Sequence, residues 1–115
     1  MRTSILALAA ALLASAAQAA DRKLPSKFVG DWCIVNSSNE SAGRIYRRGR
    51  CPRDSDGWMT VKVNGFRAHE SDCKVLSAVA VHGHYQVKFK CHGEGETWTT
   101  NFRMSLNNKG QLIMK

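Results

Sequence analysis

The chain has 115 residues, with 17 Lys and Arg against 9 Asp and Glu, and its formal net charge at pH 7 is +8. This excess of positive charge favours negatively charged partners and disfavours tight docking to other basic proteins. It predicts nothing about the fold, but the length limits the chain to one small domain.

The N-terminus has the layout of a secretory signal peptide. Arg2 precedes an apolar run that is too short to span a membrane, and Ala17-Gln18-Ala19 forms a small-x-small cleavage pattern. We therefore predict a signal peptide at 1–19, cleavage near Ala19 and a single mature domain at 20–115. The mature protein is expected in the periplasm or outside the cell, without a transmembrane segment.

The mature sequence alternates apolar and polar residues with a period of two and shows no helical period. In the segment YQVKFKCH, which begins at Tyr85, every second residue is suited to face a core. Turn-forming residues separate such segments, and Asn64-Gly65 suits a two-residue hairpin turn. The predicted strands lie roughly at 28–35, 44–50, 57–63, 66–71, 73–82, 84–92, 96–105 and 110–114.

The short connections and even spacing predict an all-β fold. We expect an antiparallel up-and-down meander of six to eight strands that forms a small barrel or a strongly twisted sheet. The aromatic residues in phase with inward positions, and therefore predicted to form the core, are Trp32, Phe89, Trp98 and Phe102.

All four cysteines lie in the mature part of a chain predicted to be exported, so two disulfides are expected. Cys73 and Cys91 are in phase with the inward residues of two strands joined by one turn, so they can meet across that hairpin. Cys33 lies on the opposite face from the inward residues of the first strand, and Cys51 follows an arginine-rich segment. Of the three pairings that four cysteines allow, we favour Cys33–Cys51 with Cys73–Cys91.

The histidines do not form a convincing metal site. His82 and His84 flank a glycine turn, where solvated side chains are common. His92 follows His84 by eight strand residues, or about 26 Å, which is too far for the two to share one metal ion. We expect no metal and no cofactor.

A catalytic constellation is also missing from the sequence pattern. Ser71-x-x-Lys74 has the spacing used by some acylating serine enzymes, but it lies at the head of a strand where that motif needs a helix. Glu94 and Glu96 lie beside glycines in a turn, where carboxylates are usually solvated. A non-enzymatic protein is therefore predicted.

The segment RIYRRGRCPR, residues 44–53, holds five arginines in ten positions. Guanidinium groups pair bidentately with phosphates and carboxylates, which makes this segment the candidate binding site. Its residues are Arg44, Tyr46, Arg48 and Arg50 on one strand face, Arg47 on the other, and Arg53 beyond the disulfide. Since Arg47 and Arg48 point to opposite faces, we expect either an edge strand with two wet faces or a bulge near Gly49. Both would give a rigid, exposed basic edge.

The leading functional prediction is an exported, non-enzymatic β-domain that binds an anionic or acidic partner through this edge. The candidate partners are an anionic glycolipid, a polysaccharide or an acidic protein, and export disfavours nucleic acid. The alternative is a solvated basic strand without a partner. The sequence leaves the oligomeric state open.

Three parts of the chain carry resemblances to known families. Phe28 and Gly30-Asp31-Trp32 resemble the G-x-W start of lipocalin-like barrels, and they are similar to periplasmic protease inhibitors of the small metalloprotease-inhibitor barrel family. Gly30 to Cys33, Tyr46 to Cys51 and Cys91 to Trp98 resemble the motifs G-x-W-C, Y-R-R-G-x-C and C-x-G-E-G-x-x-W of a group of small, exported, uncharacterised proteobacterial proteins. The latter resemblance implies a shared fold and disulfide set.

The barrel resemblances imply two further functions. One is inhibition of an exported peptidase, in which the N-terminal arm ADRKLPSK, residues 20–27, would insert into the target. The other is binding of a small ligand inside a lipocalin-like barrel, although the core of so short a chain leaves little spare interior.

Overall fold

The computed structural model of the protein describes residues 21–36 and 43–115, so the predicted signal peptide and its cleavage point lie outside the described residues. Within them the chain forms a short 3-10 helix, Ser26–Phe28, and eight strands. The strands are β1 (Gly30–Asn36), β2 (Arg44–Arg48), β3 (Trp58–Lys62), β4 (Gly65–Ala68), β5 (Ser71–Val81), β6 (His84–Gly93), β7 (Glu96–Leu106) and β8 (Leu112–Met114). They confirm the eight predicted strands, with ends that differ by at most three residues. No helix in these ranges has the length and hydrophobicity to span a membrane.

The strands close into one antiparallel barrel, in the order β1-β2-β8-β7-β6-β5-β4-β3 around the wall. From β4 to β8 each strand pairs with its predecessor, as in the predicted meander. β1 instead lies between β2 and β3, so the chain has to cross β1 to continue from β2 to β3. Residues 49–57, here called the crossing loop, make this connection. The all-β barrel prediction is confirmed, and the sheet is closed.

Every second residue of a strand points into the barrel, and these inward side chains form most of its core. The largest fully buried side chains are Trp32, Phe28, Phe89, Met59, Met104 and Leu112. Phe66, Phe89 and Phe102 pack edge to face with ring centroids between 4.9 and 6.3 Å apart. Trp32 and Phe89 therefore belong to the core as predicted. Trp98 does not, because it lies at the rim of the barrel and is 40% exposed.

One end of the barrel is closed by Trp32 and by the 3-10 helix before β1. The ring of Phe28, the last residue of that helix, is buried and meets Tyr85 edge-on at a centroid distance of 5.7 Å. The indole N–H of Trp32 donates a hydrogen bond of 2.9 Å to the Phe28 carbonyl. This bond satisfies the one polar atom of a fully buried indole ring, so the tryptophan can close the barrel without an unpaired donor.

Both predicted disulfides are confirmed. Cys73 and Cys91 lie directly opposite each other on the inner faces of β5 and β6 and are 3% and 1% exposed. Cys33 points outward from β1 and is bonded to Cys51, which ties the crossing loop to the outer face of that strand. The two bridges enclose segments of the same length, with a sequence separation of 18 in each.

Because the enclosed segments are equally long, loss of either disulfide should remove about 3 kcal/mol of chain-entropy stabilisation. The variant Cys73→Ala/Cys91→Ala should lose about 1–2 kcal/mol more than Cys33→Ala/Cys51→Ala, because it also leaves a void in the core. Denaturant titration of both variants measures their unfolding free energies. Equal losses, or a larger loss for the outer pair, would contradict this prediction.

Candidate functional site

The arginine-rich segment does not form one surface. β2 pairs with β1 on one side and β8 on the other, so the prediction of an edge strand with two wet faces is wrong. Its side chains alternate between the inside and the outside of the barrel, since Tyr46 lies opposite Ile34 and Arg48 lies opposite Trp32. The predicted binding residues are divided among the open end (Arg44, Tyr46), the closed end (Arg48) and the outer surface (Arg47, Arg50, Arg53).

Arg48 is part of the closure of the barrel. Its guanidinium lies over the Trp32 ring, 4.2 Å from the centroid, and donates to the carbonyls of Val29 and Lys27 at 3.0 and 2.9 Å. A guanidinium stacked on an aromatic face and bonded to two carbonyls has one face and two of its N–H groups engaged within the protein. We therefore assign Arg48 a structural role.

The outer arginines lie on and beside the crossing loop. Arg47 donates to the Arg50 carbonyl at 3.3 Å, and the Arg50 guanidinium contacts the Asp31 carboxylate at 3.5 Å. The loop itself is fixed, because the Gly49 N–H donates to the Asp31 carbonyl at 2.8 Å. Arg53 is exposed. The crossing loop thus holds its arginines in place, but one of the three outer arginines, Arg50, is already paired with an acid.

The open end of the barrel leads into an internal cavity of about 240 Å³. Its lining is largely apolar and includes Met59, Phe66 and the Cys73–Cys91 disulfide. Arg44, which is exposed, also lines it. An apolar chamber with one cation suits a small ligand that carries a negative charge at one end.

A larger set of cations lies on the outer wall of the barrel. The register of β5, β6 and β7 aligns outward residues in three rows, Lys74–Lys90–Thr99, Ser77–Lys88–Asn101 and Val79–Gln86–Arg103. We call these nine residues the cationic face. It contains four cations and no acidic residue. Within the described ranges, the observed ion pairs involve none of these four.

Two cations of the cationic face lie next to each other and not next to an acid. Lys74 and Lys90 occupy directly opposite positions on β5 and β6, where like charges are destabilising. The acidic residue nearest along β5 is Asp72, which lies opposite Arg67 of β4 and His92 of β6. The nine residues therefore carry four positive charges and no negative charge, and Asp72 lies in the next row along the strands.

A groove of about 700 Å³ crosses part of this face. Its lining includes Lys88, Arg103 and Lys115, together with the amide side chains of Gln86 and Asn101. Ammonium and guanidinium groups beside amide donors provide the hydrogen bonds that phosphate and carboxylate oxygens accept. The groove can thus hold an anion by both charge and hydrogen bonding.

Two turns place a pair of carboxyl groups close together. Glu70 and Glu94 both have positive φ, 61° and 49°. A hydrogen bond with Glu70, reinforced by the charge of that residue, raises the pKa of Glu94 above its ordinary value. His69 contacts Glu70 at 3.3 Å and Asp56 at 3.8 Å. In the described residues no group of three or more His, Cys, Asp or Glu side chains is arranged to hold a metal ion.

Comparisons with models of protein families, with curated proteins and with solved structures found no match to this chain. The candidate sites are therefore defined by geometry and charge alone. They are the cationic face with its groove and, at the open end, the internal cavity. The family resemblances of the sequence stay predictions.

Adjacent arginines should differ sharply in their effect on stability. Arg48→Ala removes the stacking on Trp32 and two hydrogen bonds, which should cost about 1–3 kcal/mol of unfolding free energy. Arg47→Ala removes an exposed side chain and should change it by less than about 0.5 kcal/mol. Chemical denaturation of the two single variants checks this difference, and similar losses in both would refute the structural role of Arg48.

Proposed function

We propose that this protein is a non-enzymatic binding domain that contacts an anionic partner through its cationic face. The observation that carries the proposal is the arrangement of four cations in three aligned rows without an acid among them. Placing Lys74 directly opposite Lys90 reduces the stability of the free protein. A bound polyanion would neutralise this repulsion, so binding a partner would recover the stability that the pair costs.

The spacing of the cations supports contact with an extended anion. Outward residues of one strand recur about every 7 Å, and neighbouring strands lie about 4.8 Å apart. Lys88 and Lys90 follow each other along β6, while Lys74 and Arg103 flank them on β5 and β7. Several anionic groups can therefore be contacted at once, which gives strong dependence on salt concentration.

The same proposal places the protein in the periplasm or outside the cell. Two disulfides, with no free cysteine in the described part of the chain, fit an oxidising compartment. The N-terminal sequence has the layout of a signal peptide. In that location the partner would be an anionic glycolipid, a polysaccharide or an acidic protein.

The geometry favours this function over peptidase inhibition. The inhibitor hypothesis needs a free N-terminal arm, but Asp21 exchanges two backbone hydrogen bonds with Ala78. Leu24 is 3% exposed, and its N–H donates to the Val63 carbonyl at 2.6 Å. Insertion of the arm into a target would require all these contacts to break.

A second candidate function is supported by the cavity at the open end. Its volume of about 240 Å³ is small beside the range of about 300–1,000 Å³ that is usual for ligand pockets. A medium-chain carboxylate fits its chemistry, with the chain against Met59 and Phe66 and the carboxylate paired with Arg44.

Binding to polyphosphate tests the first function. The parent protein should bind it with an affinity that falls steeply as salt is added. Lys88→Glu/Arg103→Glu should weaken binding about 30-fold or more, since each cation near an anionic surface contributes about 1 kcal/mol. Fluorescence anisotropy with a labelled polyphosphate measures both effects.

The matched control is Arg47→Glu/Arg53→Glu, which makes the same change in net charge on and beside the crossing loop. It should retain most of the affinity of the parent. Equal losses in the two double variants, or an affinity that does not change with salt, would rule out the cationic face as the binding site.

Titration with octanoate and octanol tests the second function. The two molecules share a chain length, but only octanoate carries a charge that Arg44 can bind. Arg44→Ala should weaken octanoate binding about tenfold or more and leave octanol binding unchanged, because a charge-assisted hydrogen bond contributes about 1.5–3 kcal/mol. Calorimetry measures both affinities. An Arg44→Ala variant that binds octanoate as tightly as the parent would remove this function.

A further inference from the structure

The cationic face is bordered by exposed aliphatic side chains. Six large hydrophobic residues are exposed in the described part of the chain, and three of them, Leu76, Val79 and Val81, lie on β5 with 41%, 39% and 39% exposure. Val79 itself belongs to a row of the cationic face, in register with Gln86 and Arg103. Cations and exposed aliphatic groups thus share one surface.

Leu76 protrudes because of an irregularity in β5. The register shifts between Val75, which pairs with Phe89, and Ser77, which pairs with Lys88, so Leu76 has no partner across the sheet. An extra residue of this kind bends its strand and redirects a side chain. The result is a leucine in contact with solvent between the rows of Lys74 and Ser77.

The cations are spread over an area and not along a line. The three rows span about 14 Å along the strands, and the three strands span about 10 Å across them. A flexible linear polyanion can contact several of these cations, but it offers no hydrocarbon for Leu76, Val79 and Val81 to contact. A bilayer surface presents anionic headgroups in two dimensions, with hydrocarbon close beneath them.

We propose that the partner of the cationic face is the surface of an anionic lipid bilayer. Lys74, Lys88, Lys90 and Arg103 contact lipid phosphates, while Leu76 and Val79 enter the boundary between headgroups and acyl chains. This inference rests on the proposed anion-binding function and narrows the partner to lipid. Apolar contacts with Leu76 and Val79 distinguish a bilayer from a soluble polyanion, which binds the cationic face through charge alone.

Sedimentation with lipid vesicles tests the inference. Vesicles of equal parts phosphatidylglycerol and phosphatidylcholine should bind the parent protein, and vesicles of phosphatidylcholine alone should not. Leu76→Ser/Val79→Ser should lower the affinity for the anionic vesicles about tenfold, since two aliphatic side chains lose their apolar contact. The same variant should bind polyphosphate as tightly as the parent does.

A control variant and the polyphosphate measurement distinguish failure of the lipid inference from failure of the anion-binding function. Val35→Ser/Val63→Ser removes two exposed valines that lie outside the cationic face, 53% and 48% exposed, and should bind the anionic vesicles like the parent. Polyphosphate binding without vesicle binding would overturn the lipid inference and leave the anion-binding function in place. Equal affinities of Leu76→Ser/Val79→Ser and the parent for the anionic vesicles would also overturn the inference. If the parent protein binds neither polyphosphate nor the anionic vesicles, both proposals are overturned.

Discussion

Closure of the barrel depends on β1, because this strand pairs with β2 along one side and with β3 along the other. The chain reaches both neighbours only by crossing the outer face of β1, and the Cys33–Cys51 disulfide holds the crossing loop there. A closed barrel has no edge strand, so it has no strand whose side chains are in contact with solvent on both faces. Each strand residue then points to the interior or to water, so the outer wall becomes the place where charge can collect.

This constraint separates arginines that are neighbours in the sequence. Arg48 points inward and is occupied by the Trp32 ring and two backbone carbonyls, while Arg47 points outward. A dense run of cations in the sequence thus contributes to three different parts of the molecule. The cationic face arises in the opposite way, from Lys74, Lys88 and Arg103 on three different strands.

Alternation was enough to predict the strands and, for strands such as β1 and β6, the side that faces the core, and through them the pairing of Cys73 with Cys91. It could not predict that β1 lies between β2 and β3, because that order depends on contacts between distant segments. It also placed Trp98 in the core, although only inward residues near the middle of a strand are covered from all sides. Lys88 was recognisable as an outward residue, but its alignment with Lys74 and Arg103 depends on strand register, which one sequence leaves open.

The separation of charge across the surface would also determine how the barrel lies on an anionic partner. The three rows of the cationic face contain no acid, whereas Glu70 and Glu94 lie together in exposed turns, with Glu94 directly after β6. An anionic surface attracts the wall and repels these turns, so the complementary potentials orient the molecule before contact. The barrel would then rest on its side, and the open end, where Ser71 and Trp98 line the cavity, would stay directed towards water. In this orientation the internal cavity would remain accessible, and the proposed binding at the wall would not compete with the proposed binding at the mouth.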